Sequence, residues 1–390
     1  MSTILERSHI SPGPDSAPEF SLPVVFFDML WYEFPANQSV LFFEFPCSKS
    51  HFLETIVPEL KSSLSLTLTQ FLPLAGNIIY PRKPGNKPVL RYETGNSVSF
   101  TVSESTADFN NLTGNHPGLC IGFVTDHVVA DASTVVSFMQ AWALINRSRR
   151  SGADNVRDLL TEGNLLPFYD RKSVTNLNGL DEIYCDVTVD SSCSAEPPSV
   201  KLPINKLRAT FFERISFWQV SRSVICRLSS VHLYGSARQD CRKRLNPPLP
   251  VNYFGNCVSL VKAELKHGEV KGDEGFVKAA KAIGEAVKET VYNEKGILHG
   301  AEKWPDEYEK LVGKRQISVA GSPRFDFYAV DYGWGKPRKF EGLFIDGGGS
   351  ISLCTSREFE GGLEIGLSKS MVQIDAFTSV FKEILESLLS

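Results

Sequence analysis

The segment from Cys120 to Trp142 constrains the fold more than any other part of the chain. Residues Ile121, Phe123 and Thr125 alternate with smaller neighbours, the period-two pattern of a half-buried strand. Val135, Phe138, Met139 and Trp142 then fall at three-and-four spacing, the signature of an amphipathic helix, with Ser133 available as its N-cap. Too few residues lie between the two patterns for anything but a tight turn, so the segment is expected to run strand, turn, helix. Such a turn projects side chains into a cleft rather than a core. It holds the run Asp126-His127-Val128-Val129-Ala130-Asp131.

His127 is therefore the first candidate for chemistry. A neutral imidazole with a pKa near the working pH can take a proton from a hydroxyl and return it to a leaving group. The HxxxD spacing is weak evidence when it stands alone. Asp131 has two readings: it orients His127 as in a catalytic triad, or it is a buried carboxylate bracing the turn through a salt bridge. The second reading names Arg242 or Arg244, from the run Asp240 to Pro250, as partner.

Around this segment the chain reads as α/β. Phe52, Ile56, Leu60 and Leu64 predict a helix over residues 51–66, and the Pro73, Gly76, Asn77 punctuation leads into a strand at 76–80. A polar, Ser-, Asn- and Pro-containing stretch follows Asn146, so the organisation is read as an N-terminal lobe (1–165), a crossover connection (166–205) and a C-terminal lobe (206–390). In the last of these, Phe276 to Val291 and Phe377 to Leu388 predict two amphipathic helices. Leu343 to Ile345, Ile351 to Ser356 and Leu363 to Leu367 suggest an antiparallel meander turning at Gly347-Gly348-Gly349.

Composition excludes several classes. A net charge of -4 over 390 residues gives no global field for nucleic acid or an anionic membrane. The longest apolar stretch, Leu22 to Phe34, is broken by Pro23, Asp28 and Glu33, so neither a membrane span nor a secretory signal is expected. Eight cysteines without a CxxC pair fit reduced thiols in a cytoplasmic protein, with no metal site. Basic residues cluster at Arg238 to Arg244 and at Lys336 to Lys339, either as phosphate-binding groups or as solvated loops. The Gly347 run matches neither a P-loop nor a dinucleotide fingerprint, and no serine sits in a GxSxG elbow.

Three landmarks in order give the chain its resemblance to the plant BAHD acyltransferases: Pro73-Leu74-Ala75-Gly76, His127-Val128-Val129-Ala130-Asp131, and Asp331-Tyr332-Gly333-Trp334-Gly335. Tyr253-Phe254-Gly255-Asn256-Cys257 and Leu166 to Arg171 are similar to segments of the anthocyanin and phenolic glucoside malonyltransferase group. The resemblance implies a two-lobed chloramphenicol-acetyltransferase-like α/β fold, with mixed sheets, flanking helices and the active site between the lobes. It implies malonyl-CoA as a co-substrate, no permanently bound cofactor, a glycosylated phenol or flavonoid as acceptor, and a monomer. His127 would be the general base and Asp131 its brace. Arg242, Arg244, Ser318, Ser322, Asp331, Gly333 and Trp334 would serve the coenzyme channel, with Trp334 structural, and Arg171 would take the donor carboxylate bidentately.

The chain also departs from that pattern. Ala132 stands where relatives carry Gly after the motif aspartate, which would cost roughly 1 kcal/mol or more if the position needs positive φ. His116-Pro117-Gly118 runs almost directly into the Cys120 strand, and Phe211 to Gln239 replaces a longer stretch. The alternative to an active transferase is thus a truncated family remnant without catalysis.

Overall fold

A computed structural model gives the three-dimensional structure. It describes residues 2–13, 18–32, 34, 36–79, 87–105, 118–149, 155–185, 202–203, 205–212, 232–270, 274–310, 316–321, 324–343, 351–358, 360, 362–367 and 371–389. The expected turn at Gly347-Gly348-Gly349, and the segments 106–117 and 213–231 that flank the proposed deletions, lie outside them.

Fifteen strands are assigned among the described residues: β1 (Ser2–Ile10), β2 (Phe20–Pro23), β3 (Asn37–Glu44), β4 (Asn77–Ile79), β5 (Val89–Tyr92), β6 (Val98–Ser105), β7 (Gly118–Thr125), β8 (Leu202–Pro203), β9 (Asn205–Phe212), β10 (His232–Asp240), β11 (Val258–Lys266), β12 (Gln316–Gly321), β13 (Lys339–Gly342), β14 (Ile351–Thr355) and β15 (Leu363–Leu367). The first sheet runs β1-β6-β9-β7-β3-β13, the second β11-β10-β12-β14-β15, and a smaller one β2-β5-β4-β8. The mixed α/β character expected from sequence is present.

β7 is an interior strand, flanked by β9 and β3, which is why Leu119, Cys120 and Ile121 are all buried while the alternation emerges only toward its end. The helix Ala132–Arg149 leaves its carboxyl end and packs on the helix Val57–Gln70, where the Trp142 indole N–H donates to the Leu60 carbonyl (3.2 Å) and to the Ser63 hydroxyl (3.0 Å). These partners satisfy a polar tip that would otherwise be costly in so apolar a place.

Sequence order and spatial order part company at β9 and β13. Both lie in the span expected to form the C-terminal lobe, yet β9 pairs with β6 and β7, and β13 runs antiparallel to β3. Of the strand expected at Leu343 to Ile345 only Leu343 lies among the described residues; β13, Lys339–Gly342, directly precedes it and belongs to the first sheet. Among the described residues, β14 and β15 of the expected meander are antiparallel neighbours.

The second sheet is parallel at its centre, where β12 pairs with β10 and β14, and the helix Gly275–Val291 packs on β11. Its far edge is less covered. Ile365 on β15 is 61% exposed, and Phe377 and Phe381 of the helix Met371–Leu389 stack on each other in the open. At the end of β12, Gly321 has φ +92°, and a Cβ built there would sit 2.1 Å from the Leu353 carbonyl oxygen of β14. Gly321→Ala is therefore expected to cost about 1–3 kcal/mol of backbone strain, seen as a lower urea midpoint; an unchanged midpoint would show that β12 and β14 separate without penalty.

Candidate active site

The turn that carries His127 is built by its own polar groups. Asp126 closes it, since its carbonyl accepts from the Val129 N–H (3.1 Å) and its carboxylate from the Val128 N–H (3.2 Å). Burial pushes the Asp126 carboxyl pKa up, against the Val128 hydrogen bond, which lowers it. Asp131, not Ser133, caps the following helix: its Oδ1 accepts from the Thr134 N–H at 3.0 Å. Ala132 has no positive φ and begins the helix, so the alanine is unstrained at this position.

Asp131 has no capacity left to orient His127. Oδ2 accepts from Arg242 Nη1 (2.8 Å) and the Cys257 N–H (3.1 Å), and Oδ1 accepts from Arg242 Nη2 (3.0 Å) as well as from Thr134. Of the two arginines offered by sequence, Arg242 is the partner. It is buried and also donates to Asp240 and to the Tyr253 and Gly255 carbonyls. Burial opposes its charge, but the Asp131 carboxylate outweighs that and raises the guanidinium pKa. Arg242 therefore braces the turn, with Nη1 and Nη2 committed to the protein, while its buried Nε–H makes no hydrogen bond among the described residues. Arg244, half-buried, donates to the Asp240 carbonyl (3.3 Å) and lies over the Tyr292 ring.

His127 is 8% exposed and its ring stacks on Trp31, with centroids 3.7 Å apart and planes 4° from parallel. Its Nδ1 lies 3.2 Å from Asn256 Oδ1. The side-chain nitrogen of Asn256 donates to Asp28 Oδ1 (3.0 Å), the His127 carbonyl (2.9 Å) and the Val128 carbonyl (3.2 Å). The same histidine forms part of the wall of a cavity of about 510 Å³, which draws Asn37, Ser39 and Phe123 from the first sheet and Val319, Gly321 and Leu353 from the second.

Arg171 is not placed to meet a donor carboxylate. It is 3% exposed, forms no part of the cavity wall, and donates to the carboxylate of Asp28, the Pro23 carbonyl (2.6 Å) and the Phe254 carbonyl (3.1 Å). Burial opposes its charge and Asp28 more than restores it, raising its pKa. The chain accommodates this arginine through Gly255, whose φ is +124° and where a Cβ would fall 2.3 Å from Arg171 Nη2. Arg171→Ala is expected to lower the unfolding free energy by about 3–5 kcal/mol, because it strands Asp28 as a buried charge, and to leave the malonyl-to-acetyl donor ratio unchanged. A shifted ratio in a folded variant would return Arg171 to the donor site.

The remaining sequence candidates sit apart from His127. Asp331 accepts from the Gly333 (2.8 Å) and Gly335 (3.0 Å) N–H groups of its own loop and lies 3.6 Å from Arg147. Gly333 has φ +102°, which lets that loop close. Trp334 packs on Phe43, Phe45 and Tyr332, and Asn146 donates to the Tyr332 carbonyl at 2.8 Å. The Asp331–Gly335 loop thus ties the helix Ala132–Arg149 to β3, and none of Asp331, Gly333 and Trp334 lines the cavity. Ser318 lies on β12 beside the cavity-lining Val319, and Ser322 falls outside the described residues. In the second basic cluster Arg338 pairs with Glu44 and Lys339 with Glu341, and none of its residues lines the cavity.

Sequence reasoning missed the contacts that Asp28, Trp31 and Asn256 make around His127. A signal for the first existed: a carboxylate inside the apolar run Leu22 to Phe34 has to be paired if the run is buried.

The Transferase family profile matches residues 1–117 and 236–384. Among curated proteins the chain is 36% identical to the malonyl-coenzyme:anthocyanin 5-O-glucoside-6'''-O-malonyltransferase of Salvia splendens, covering 97% of this chain and 95% of that one. It is 34% identical to phenolic glucoside malonyltransferase 1 of Nicotiana tabacum, over 90% and 92%. The Salvia alignment spans 442 residues against 390 here, so this chain is the shorter one inside the aligned region. Vinorine synthase has a similar fold, with a TM-score of 0.61 at 17% identity over 94% of each chain. F. graminearum TRI101 complexed with coenzyme A and T-2 mycotoxin reaches 0.58 at 10% identity, over 92% of this chain and 97% of that one. Together with the histidine turn between two sheets, these matches make the chain a member of the Transferase family, the BAHD acyl-CoA-dependent O-acyltransferases, with their chloramphenicol-acetyltransferase-like fold.

Proposed function

We propose that this protein moves a malonyl group from malonyl-CoA to a hydroxyl of a phenolic or flavonoid glucoside, with His127 as the general base. The observation that carries this reading is the place of His127, in the wall of a cavity reached from both sheets and with Nδ1 held by Asn256. Nε2 takes the proton of the sugar hydroxyl while the oxygen attacks the thioester carbonyl carbon. The tetrahedral intermediate collapses with cleavage of the C–S bond, and the imidazolium returns the proton to the coenzyme A thiolate. Alcohol and thioester thus become ester and thiol, with no acyl-enzyme.

Malonyl-CoA is anionic at its phosphates and at its acyl end, and a neutral wall would reject it. With Arg242 committed to Asp131, the remaining basic residues of the wall are Lys243 and Arg324, both exposed. They supply the charge that the donor requires. Relatives named for malonyl transfer to glucosides support the donor and acceptor classes.

Purified protein incubated with malonyl-CoA and a flavonoid glucoside is expected to give a malonylated glucoside and free thiol in equal amounts. A second reading, a remnant without transfer, draws on the shorter aligned interior and on the open face at Ile365, Phe377 and Phe381. Neither product nor thiol above the level of a His127→Ala control would favour it.

A further inference from the structure

We infer that Asp28, acting through Asn256, selects the tautomer of His127, so that Asp28 and Asn256 are positioning residues of the transfer site. The inference rests on His127 being the base. A neutral imidazole carries its proton on Nδ1 or on Nε2, and only the first form leaves an Nε2 lone pair for a substrate hydroxyl. Something must choose, and Asp131 does not, since all four of its contacts go to Arg242, Thr134 and Cys257.

The choice follows from the carboxamide of Asn256. One end of it faces three oxygens: Asp28 Oδ1, the His127 carbonyl and the Val128 carbonyl. All three are acceptors, so that end must be the NH₂ group. Flipping the amide would set its oxygen against all three with no proton between them, in a place closed to water, where Asn256 and Asp28 are both 0% exposed. The opposite end, facing His127 Nδ1 at 3.2 Å, is then the carbonyl oxygen, which can only accept. Nδ1 must carry the proton.

Asp28 holds that orientation because it is itself held. Its carboxylate accepts from Arg171, from the Val25 N–H (3.2 Å) and from the Asn256 N–H (3.0 Å). The Arg171 contact also balances its charge, so Asn256 passes direction to the imidazole more than it passes charge. Stacking on Trp31 fixes the plane of the ring about the remaining rotation. Three segments distant in sequence, at residues 28–31, 127 and 256, meet at one imidazole.

The test is nitrogen NMR of the full chain labelled with ¹⁵N-histidine, at about pH 8.5, above the ordinary imidazole pKa. Seven histidines give few signals, and His127 is assigned by its absence from His127→Ala. The wild type is expected to show His127 protonated at Nδ1; protonation at Nε2 overturns the inference. This spectrum needs no turnover, so a wild type that fails to transfer malonyl would reject the proposed reaction and leave the tautomer readable. In Asn256→Ala, His127 is expected to show both tautomers, and kcat to fall about a hundredfold or more while KM for malonyl-CoA stays within about threefold. A folded Asn256→Ala protein that keeps the pure Nδ1–H form overturns the inference. Should that variant not fold, the wild-type spectrum decides by itself.

Discussion

His127→Ala is expected to lower kcat for malonyl transfer by about three orders of magnitude, within the span of about 10²–10⁴ that a positioned acid–base group contributes. KM for malonyl-CoA should change little, because the imidazole meets the reacting hydroxyl and contributes little to coenzyme binding. The stability cost should be modest. Alanine removes the stack on Trp31 and one acceptor contact to Asn256, but the turn itself is held by Asp126 and Asp131, which remain. A large rate loss with only a small drop in the urea midpoint is therefore the combination to look for. A variant that keeps a tenth or more of wild-type kcat would mean that some other group, or water, removes the proton.

The second large effect concerns stability. Arg242→Met leaves Asp131 buried without its cation, along with the Tyr253 and Gly255 carbonyls that lose a donor. An exposed pair would be worth a fraction of a kcal/mol, whereas breaking a buried one costs about 3–5 kcal/mol because the surviving charge has no solvent. Removing both charges together, in Asp131→Asn with Arg242→Met, should recover a good part of that loss, since asparagine still caps the helix through Thr134. Denaturant unfolding of the two single variants and the double variant forms the cycle. A double variant as unstable as the sum of the singles would show that the ion pair is not what these residues contribute.

How much of this was legible in sequence depends on the range of the interaction. The strand, turn and helix around His127 are local, set by alternation in Ile121 to Thr125 and by the spacing of Val135 to Trp142, and they were readable. Arg242 as partner of Asp131 was half-readable, since a buried carboxylate calls for a cation and the chain offers two close together. Ser133 as N-cap was a local error of two residues: Asp131 can cap and pair at once, which spacing rules do not anticipate. Arg171 failed for a different reason. A resemblance carries a residue type forward, while only tertiary contacts show that its donors face Asp28, Pro23 and Phe254. The placement of β9 and β13 was invisible for the same cause, because strand partners far apart in sequence leave no periodic trace.

The pairing of β3 with β13 has a consequence for how the chain must be made. β3 ends at Glu44 and its partner does not begin until Lys339. At synthesis rates of about 5–20 residues per second, that edge of the sheet is unsealed for roughly 15–60 s on the ribosome. Throughout that interval Val40, Leu41 and Phe42 present unpaired backbone and apolar side chains to any neighbouring nascent chain. Yield in a host should therefore respond more to chaperone supply and translation speed than to the final stability of the folded enzyme.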